Sequence, residues 1–169
     1  APSSFTVLYT GFLLTFLSRM TYLMNKGQDV SSQTIATFLL MVFLCDSLAW
    51  FFGVLLGKNN RGIVKASPNK SIAGFIGGFA GSIAAGILGW KLWPELFAGS
   101  VSKVVVLAVF TAFAAIIGDL AESVFKRSSG VKDSGHIVPG RGGVLDTIDS
   151  ILMAAPVYYF LLLLLYSPK

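Results

Sequence analysis

One cysteine and one histidine occur in the 169 residues. Cys45 alone excludes an intrachain disulfide or a multi-cysteine zinc site, so its expected place is a buried, small apolar-like position. His136 has no cysteine partner and is expected in a loop, not as a ligand. Charge is scarce: 12% of the chain, against about 25% in ordinary soluble proteins, while 54% is hydrophobic and the mean hydropathy is +0.75. Such a chain is too apolar for a soluble domain. It holds no strong internal repeat, no low-complexity tract, and no GxxxxGK[ST] phosphate loop. The first apolar run lacks the basic flank and small-residue cleavage site of a signal peptide. The net charge of +5 sits in short loops and not in a stripe interleaved with aromatics, which argues against nucleic acid.

What is present is a series of apolar runs. A spanning helix needs about 20 mostly apolar residues, and five segments approach that: Phe5 to Met24, Thr34 to Leu56, Ser71 to Trp90, Val101 to Leu120 and Ile148 to Tyr166. Unpaired strands in lipid leave backbone groups unsatisfied. The expected fold class is therefore all-α, a polytopic membrane helix bundle with about five spanning helices, forming a single membrane-embedded domain over residues 1–169. The joining loops are Asn25 to Gln33, Gly57 to Lys70, Lys91 to Ser100 and Ala121 to Thr147. The second and fourth hold eight of the thirteen basic residues: Lys58, Arg61, Lys65, Lys70, Lys126, Arg127, Lys132 and Arg141. Positive loops stay cytoplasmic, so this pair is expected on the cytoplasmic side.

Within the runs, polar or small residues need an explanation. Asp46 lies mid-run, where an acid costs roughly 2.5–3.5 kcal/mol on insertion scales. It is expected to face protein or a water-filled cavity, as a substrate or ion site or as a hydrogen-bonded helix contact, and Trp50 and Gly53 continue its face. Ser67, Pro68, Asn69, Lys70 and Ser71 form a helix entry where free amides and a lysine suit a phosphate. The helix that follows carries Gly74/Gly78 and Gly77/Gly81 as small-xxx-small pairs, for packing within the chain or, as the second reading, a homodimer seam. Pro156 is expected to kink the last helix.

The region most unlike a lipid-facing helix is Asp119 to Ser150, with five of the eight acids. Asp119, Glu122, Ser123 and Lys126 share one helical face, and Asp146, Asp149 and Ser150 repeat the spacing at the next helix start. Separately, the basic residues read as an interfacial belt, PGRGG as a turn, and Asp146 and Asp149 as complements to a helix dipole. Together they read as a site. Asp119, Asp146 and Asp149 supply hard oxygen ligands for a cation, and Lys126, Arg127, Lys132, Arg141 and the glycine amides suit phosphates.

SVFKRSSGVKDSGHIVPGRGGVLDTID closely resembles the signature of the CDP-diacylglycerol synthases, or phosphatidate cytidylyltransferases, S-x-x-K-R-x4-K-D-x-G-x3-P-G-H-G-G-x-x-D-R-x-D. Ser123, Lys126, Arg127, Lys132, Asp133, Gly135, Pro139, Gly140, Gly142, Gly143, Asp146 and Asp149 match it. CDSLAWFFGVLLGK and SPNKSIAGFIGG are similar to two further family elements, so the resemblance runs from Asp46 to the end. Arg141 stands where most members have His, and Thr147 where they have Arg.

The resemblance implies that CTP and phosphatidate become CDP-diacylglycerol and pyrophosphate at a cytoplasm-facing site in a bacterial inner membrane. The cofactor implied is Mg²⁺, with a second cation left open. It casts Asp119, Lys126, Arg127, Lys132, Asp133, Asp146 and Asp149 in catalysis. It casts Asp46, Ser67, Pro68, Lys70, Ser71, Ser123, Gly140, Arg141, Gly142 and Gly143 in substrate binding. Family members begin with further hydrophobic segments, so this chain corresponds to their C-terminal portion. The rivals are a CTP-dependent lipid-alcohol kinase and a cation transporter relaying through Asp46, Asp119 and Glu122. Single cysteines placed in the loops 57–70 and 121–147, in a Cys45→Ala background, are expected to react with an impermeant thiol reagent from the same, cytoplasmic face. Labelling of the two loops from opposite faces overturns the five-span topology.

Overall fold

The computed structural model describes residues 2–62, 64, 67–128, 130 and 145–167, and the side chains of 2–9 and 145–147 lie outside that description. The described chain forms five helices: α1 (Pro2–Met20), α2 (Ser31–Leu56), α3 (Ile72–Leu92), α4 (Val101–Ser128) and α5 (Leu145–Tyr166), with a small ribbon of β1 (Met24–Asn25) and β2 (Gln28–Asp29) between α1 and α2. Four of these, α2 to α5, are long and apolar enough to cross a membrane among the described residues. The protein is an all-helical multi-pass bundle.

Several boundaries differ from the sequence expectation. α1 stops at Met20, four residues before the expected end, because the chain reverses there. Lys26 and Gly27 both take positive φ, 49° and 83°, the type I′ pattern that closes a two-residue hairpin, pairing Met24 with Asp29 and Asn25 with Gln28. α2 begins at Ser31, where the Asp29 carboxylate accepts from the Ser31 amide at 2.9 Å. The largest shift is in α4. It runs to Ser128, two turns into the segment expected as a loop, with Lys126 and Arg127 in its last turn, where cations favour a helix C-terminus. At about 1.5 Å per residue its 28 residues reach roughly 42 Å, beyond a hydrocarbon layer of about 30 Å. α5 continues through Pro156.

Lipid offers no hydrophobic drive to bring helices together, so close packing must do it. The glycines of α3 meet the backbone of α2. A Cβ on Gly74 would lie 2.8 Å from the Ala49 carbonyl oxygen, on Gly77 2.7 Å from that of Leu48, and on Gly81 2.4 Å from that of Leu44. Packing within the chain therefore occupies this face, the first of the two readings of the small-xxx-small pairs. Ser82 Oγ donates to Ala108 O at 2.9 Å and ties α3 to α4. α5 closes the bundle against α4, α1 and α2: Phe38 and Tyr158 rings lie 5.1 Å apart, Phe16 meets Phe160 edge-on at 5.4 Å, and the buried Tyr158 hydroxyl donates to Thr34 O at 3.2 Å. Leu96 and Phe97, in the α3–α4 connection, are buried and plug the end of the bundle beside Tyr166. Cys45 is buried and unpaired, as expected.

Gly81→Ala is expected to cost about 1–3 kcal/mol by forcing α2 and α3 apart. Gly11→Ala, with nothing within 4 Å of the added carbon, should leave stability unchanged or raise it slightly. Thermal unfolding in detergent checks both, and equal stability of the two variants overturns the α2–α3 contact as the tight seam.

Candidate functional site

The loop after α2 does not hang free. Gly62 N donates to Pro68 O at 3.0 Å and to Lys70 O at 3.3 Å, and Ile72 N donates to Asn60 O at 3.2 Å, so the segment folds back on the entry to α3 and pairs Arg61 with Ser71. Ser71 is the N-cap of α3. Its hydroxyl accepts from Gly74 N at 3.0 Å, which satisfies one of the free amides of the first turn.

This fold-back encloses one side of a cavity of about 510 Å³. α2 contributes Asp46, Trp50 and Gly53 to its wall, α4 contributes Asp119, and the loop contributes Arg61, Asn69, Lys70 and Ser71. Asp46 thus faces the cavity, with Trp50 and Gly53 on the same face, as its helical spacing predicts. Ser67 and Pro68, also in the expected substrate-binding set, lie in the turn beside this wall. They shape the turn, through Lys70 N to Ser67 O at 3.1 Å and the Pro68 carbonyl bond to Gly62, and do not line the wall.

Two lysines are held inward by acids. Lys70 Nζ is bonded to the Asp119 carboxylate across 49 residues of sequence. On α4, Lys126 Nζ donates to Glu122 Oε2 at 3.1 Å, and Glu122 is only 7% exposed. Lys126 therefore turns back along its own helix. Arg127 is exposed and Ser123 half-buried on the same end of α4.

α5 brings the next acids. Gly118 packs so closely that a Cβ there would lie 2.6 Å from Asp149 O. With no side chain between the helices, Asp149 comes within electrostatic range of Asp119 and shares a hydrogen bond with Glu122. Its carboxylate also accepts from Ser150 N at 2.6 Å, and Ser150 Oγ donates to Asp46 Oδ1 at 3.4 Å. Asp46 in turn feels Asp119, Asp149 and Lys70. Four carboxylates from three helices thus act on one another around Lys70 and Lys126.

The chemistry of this donor set fits a hard divalent cation: the oxygens come from separate helices, and two acids within hydrogen-bond reach need a proton or a cation between them. Among the described residues, no three acidic, histidine or cysteine side chains converge into a closed ligand shell. Asp146 is the second residue of α5, but its side chain lies outside the described residues, as does that of Thr147. Lys132, Asp133, Gly140, Arg141, Gly142, Gly143 and His136 also lie outside them.

The model of the cytidylyltransferase family matches residues 2–165. The chain belongs to the cytidylyltransferase family. It is similar to phosphatidate cytidylyltransferases from Synechocystis sp., 40% identical over 128 residues, covering 73% of this chain and 41% of that protein; from Thermotoga maritima, 35% over 162 residues, 94% and 57%; and from Brucella abortus, 38% over 151 residues, 89% and 53%. The chain spans about half the length of the curated relatives it matches.

Asp46, Lys70, Ser71 and Asp119, all singled out by the sequence, line one cavity of this family member, with Asp149 within electrostatic range of Asp119. Asn69, from the helix entry, and Arg61, which nothing local distinguishes from other loop residues, line the same wall. Glu122, which its spacing of three from Asp119 and four from Lys126 places on their face, joins this region through Asp149. Gly118→Val is expected to force α4 from α5 and to cost about 1–3 kcal/mol. A cysteine-pair distance measurement between the ends of α4 and α5 should register the separation, and an unchanged distance at unchanged stability overturns the role of this glycine.

Proposed function

We propose that the protein is an integral-membrane phosphatidate cytidylyltransferase, transferring the cytidylyl group of CTP to phosphatidate at a site facing the cytoplasm. The single observation that carries this reading, given the family, is the cavity in which Asp46, Lys70, Ser71 and Asp119 meet beside Asp149 and Glu122. A lipid substrate and a charged nucleotide must meet at membrane depth, and a largely apolar cavity that carries Asp46, Arg61, Lys70 and Asp119 on its wall supports such a meeting.

The reaction needs little from a general base. A phosphate monoester carries about 1.5–2 negative charges at neutral pH, so a phosphatidate oxygen can attack the α-phosphorus directly. One phosphorus–oxygen bond forms, the bond to the β-phosphate bridging oxygen breaks, and pyrophosphate leaves. The demand falls on neutralising charge and holding the two phosphates in line. Lys70, Arg61 and Lys126 supply positive charge from the loop and from α4. The capped first turn of α3 adds its dipole. Arg127 and, in the signature segment, Lys132 and Arg141 extend the cationic surface. Asp119, Asp146 and Asp149 are the residues that would hold Mg²⁺. When bound, Mg²⁺ would neutralise phosphate charge and hold its oxygens in position. Asp46, steadied by Ser150, faces the opposite wall and orients the nucleotide end of the cavity.

Neither rival gains support: a lipid-alcohol kinase must deprotonate a hydroxyl, and a transporter has no use for the KR…KD…PG×GG segment. Purified protein in lipid–detergent micelles is expected to release pyrophosphate only when CTP, phosphatidate and Mg²⁺ are all present. Asp149→Asn should lower that rate on the order of 10²-fold or more with little loss of thermal stability. Asp46→Asn should raise the CTP requirement, and Thr147→Arg should raise turnover by restoring a cation beside Asp146. Full activity of Asp149→Asn, or release without CTP, overturns the assignment.

A further inference from the structure

Lys70 and Asp119 have conflicting duties. Asp119 is one of the carboxylates offered to a cation and Lys70 is one of the amines offered to a phosphate, yet each is bonded to the other. The contact is set by backbone placement. Lys70 directly precedes Ser71, the buried N-cap of α3, and Asp119 directly follows Gly118, which is pressed against the Asp149 carbonyl. The pair is nevertheless reachable, because both residues line the cavity and the Asp119 side chain stays 39% exposed.

An ammonium group and a divalent cation on one carboxylate repel each other. The lysine sits on a flexible four-carbon stem and can leave, whereas Asp119 is fixed by its helix. We infer that Lys70 is the resident counter-ion of Asp119, giving up the carboxylate to a divalent cation and carrying its ammonium group to the incoming phosphate. The acids Asp46 and Asp149 also face this pair from α2 and α5, so in the resting protein Lys70 offsets part of a three-acid repulsion. Arg61, on the same cavity wall, would be joined at the phosphate by Lys70 once it is free. Cation and phosphate binding then favour each other by the same factor, since coupling between sites is reciprocal. This inference rests on the nucleotidyltransferase reading for the identity of the phosphate, but the exchange itself concerns only this chain and a cation.

Two measurements on the purified protein in detergent test it. The first is Mn²⁺ affinity without nucleotide, followed by electron paramagnetic resonance of the free ion. Lys70→Met is expected to bind Mn²⁺ about tenfold tighter than the wild type, a coupling of usual size, and Lys70→Arg to stay near the wild type. The second uses the wild type alone. Mg²⁺ should speed modification of Lys70 by an amine reagent, read by mass spectrometry, while leaving Lys103, bonded to Leu165 O, unchanged. Wild-type or weaker Mn²⁺ affinity in Lys70→Met overturns the exchange, as does a Lys70 rate indifferent to Mg²⁺. If Lys70→Met fails to fold, the labelling decides. Pyrophosphate release on the same preparation separates the two claims: release without exchange defeats only the exchange, and exchange without release defeats only the enzymatic reading.

Discussion

Close approach of bare backbone to bare backbone is the constraint on which this bundle depends. Burying apolar side chains gains little when the surroundings are hydrocarbon, so helix association rests on contact and on polar bonds between helices. α3 meets the Leu44, Leu48 and Ala49 carbonyls of α2 through Gly81, Gly77 and Gly74, and α4 meets the Asp149 carbonyl of α5 through Gly118. These two seams decide how far the polar side chains of four helices stand from one another. A single β-carbon in either seam would widen the space that Asp46, Lys70, Asp119 and Asp149 share.

The second consequence is electrostatic. An acid at membrane depth is expensive unless it finds a partner or water, and here the acids find lysines, a serine and one another. Lys70 bonds Asp119, Lys126 bonds Glu122, and Ser150 bridges towards Asp46. A set of carboxylates in excess of its cations is under repulsion, and added positive charge relieves it. On the proposed reading this repulsion is what a bound cation would relieve, with Lys70 freed for an anion.

The two ends of the bundle divide the work. At one end Leu23 and Val30 beside the β-ribbon, Leu96, Phe97 and the aromatic contact of Phe97 with Tyr166 close the helices with buried apolar groups, and Asn25 donates to Glu95 O at 2.6 Å to bind the two connections together. At the other end the connection after α2 is polar and folded by backbone bonds onto the start of α3, and α4 extends past the hydrocarbon length with its acids and bases. A closed end holds the helices while the polar end carries the cavity.

The sequence by itself determined the environment, the helices and most of the polar set. Apolar runs of spanning length leave few other folds in lipid, and Asp46, Lys70, Asp119 and Asp149 stand out because charge in such runs needs a reason. Spacing also placed Asp46, Trp50 and Gly53 on one face, since that follows from 3.6 residues per turn. Helix ends were less legible. α4 passes Leu120 because Lys126 and Arg127 suit a helix C-terminus and Glu122 pairs with Lys126 one turn away, a local balance that hydropathy does not register. Only the tertiary structure decided that Lys70 would bond Asp119, that Glu122 would reach Asp149, and that Arg61 and Asn69 would line the cavity while Ser67 and Pro68 would not. The physical reason is that these pairings depend on the depth and rotation of one helix against another, which glycine contacts fix across dozens of residues and which no local pattern encodes.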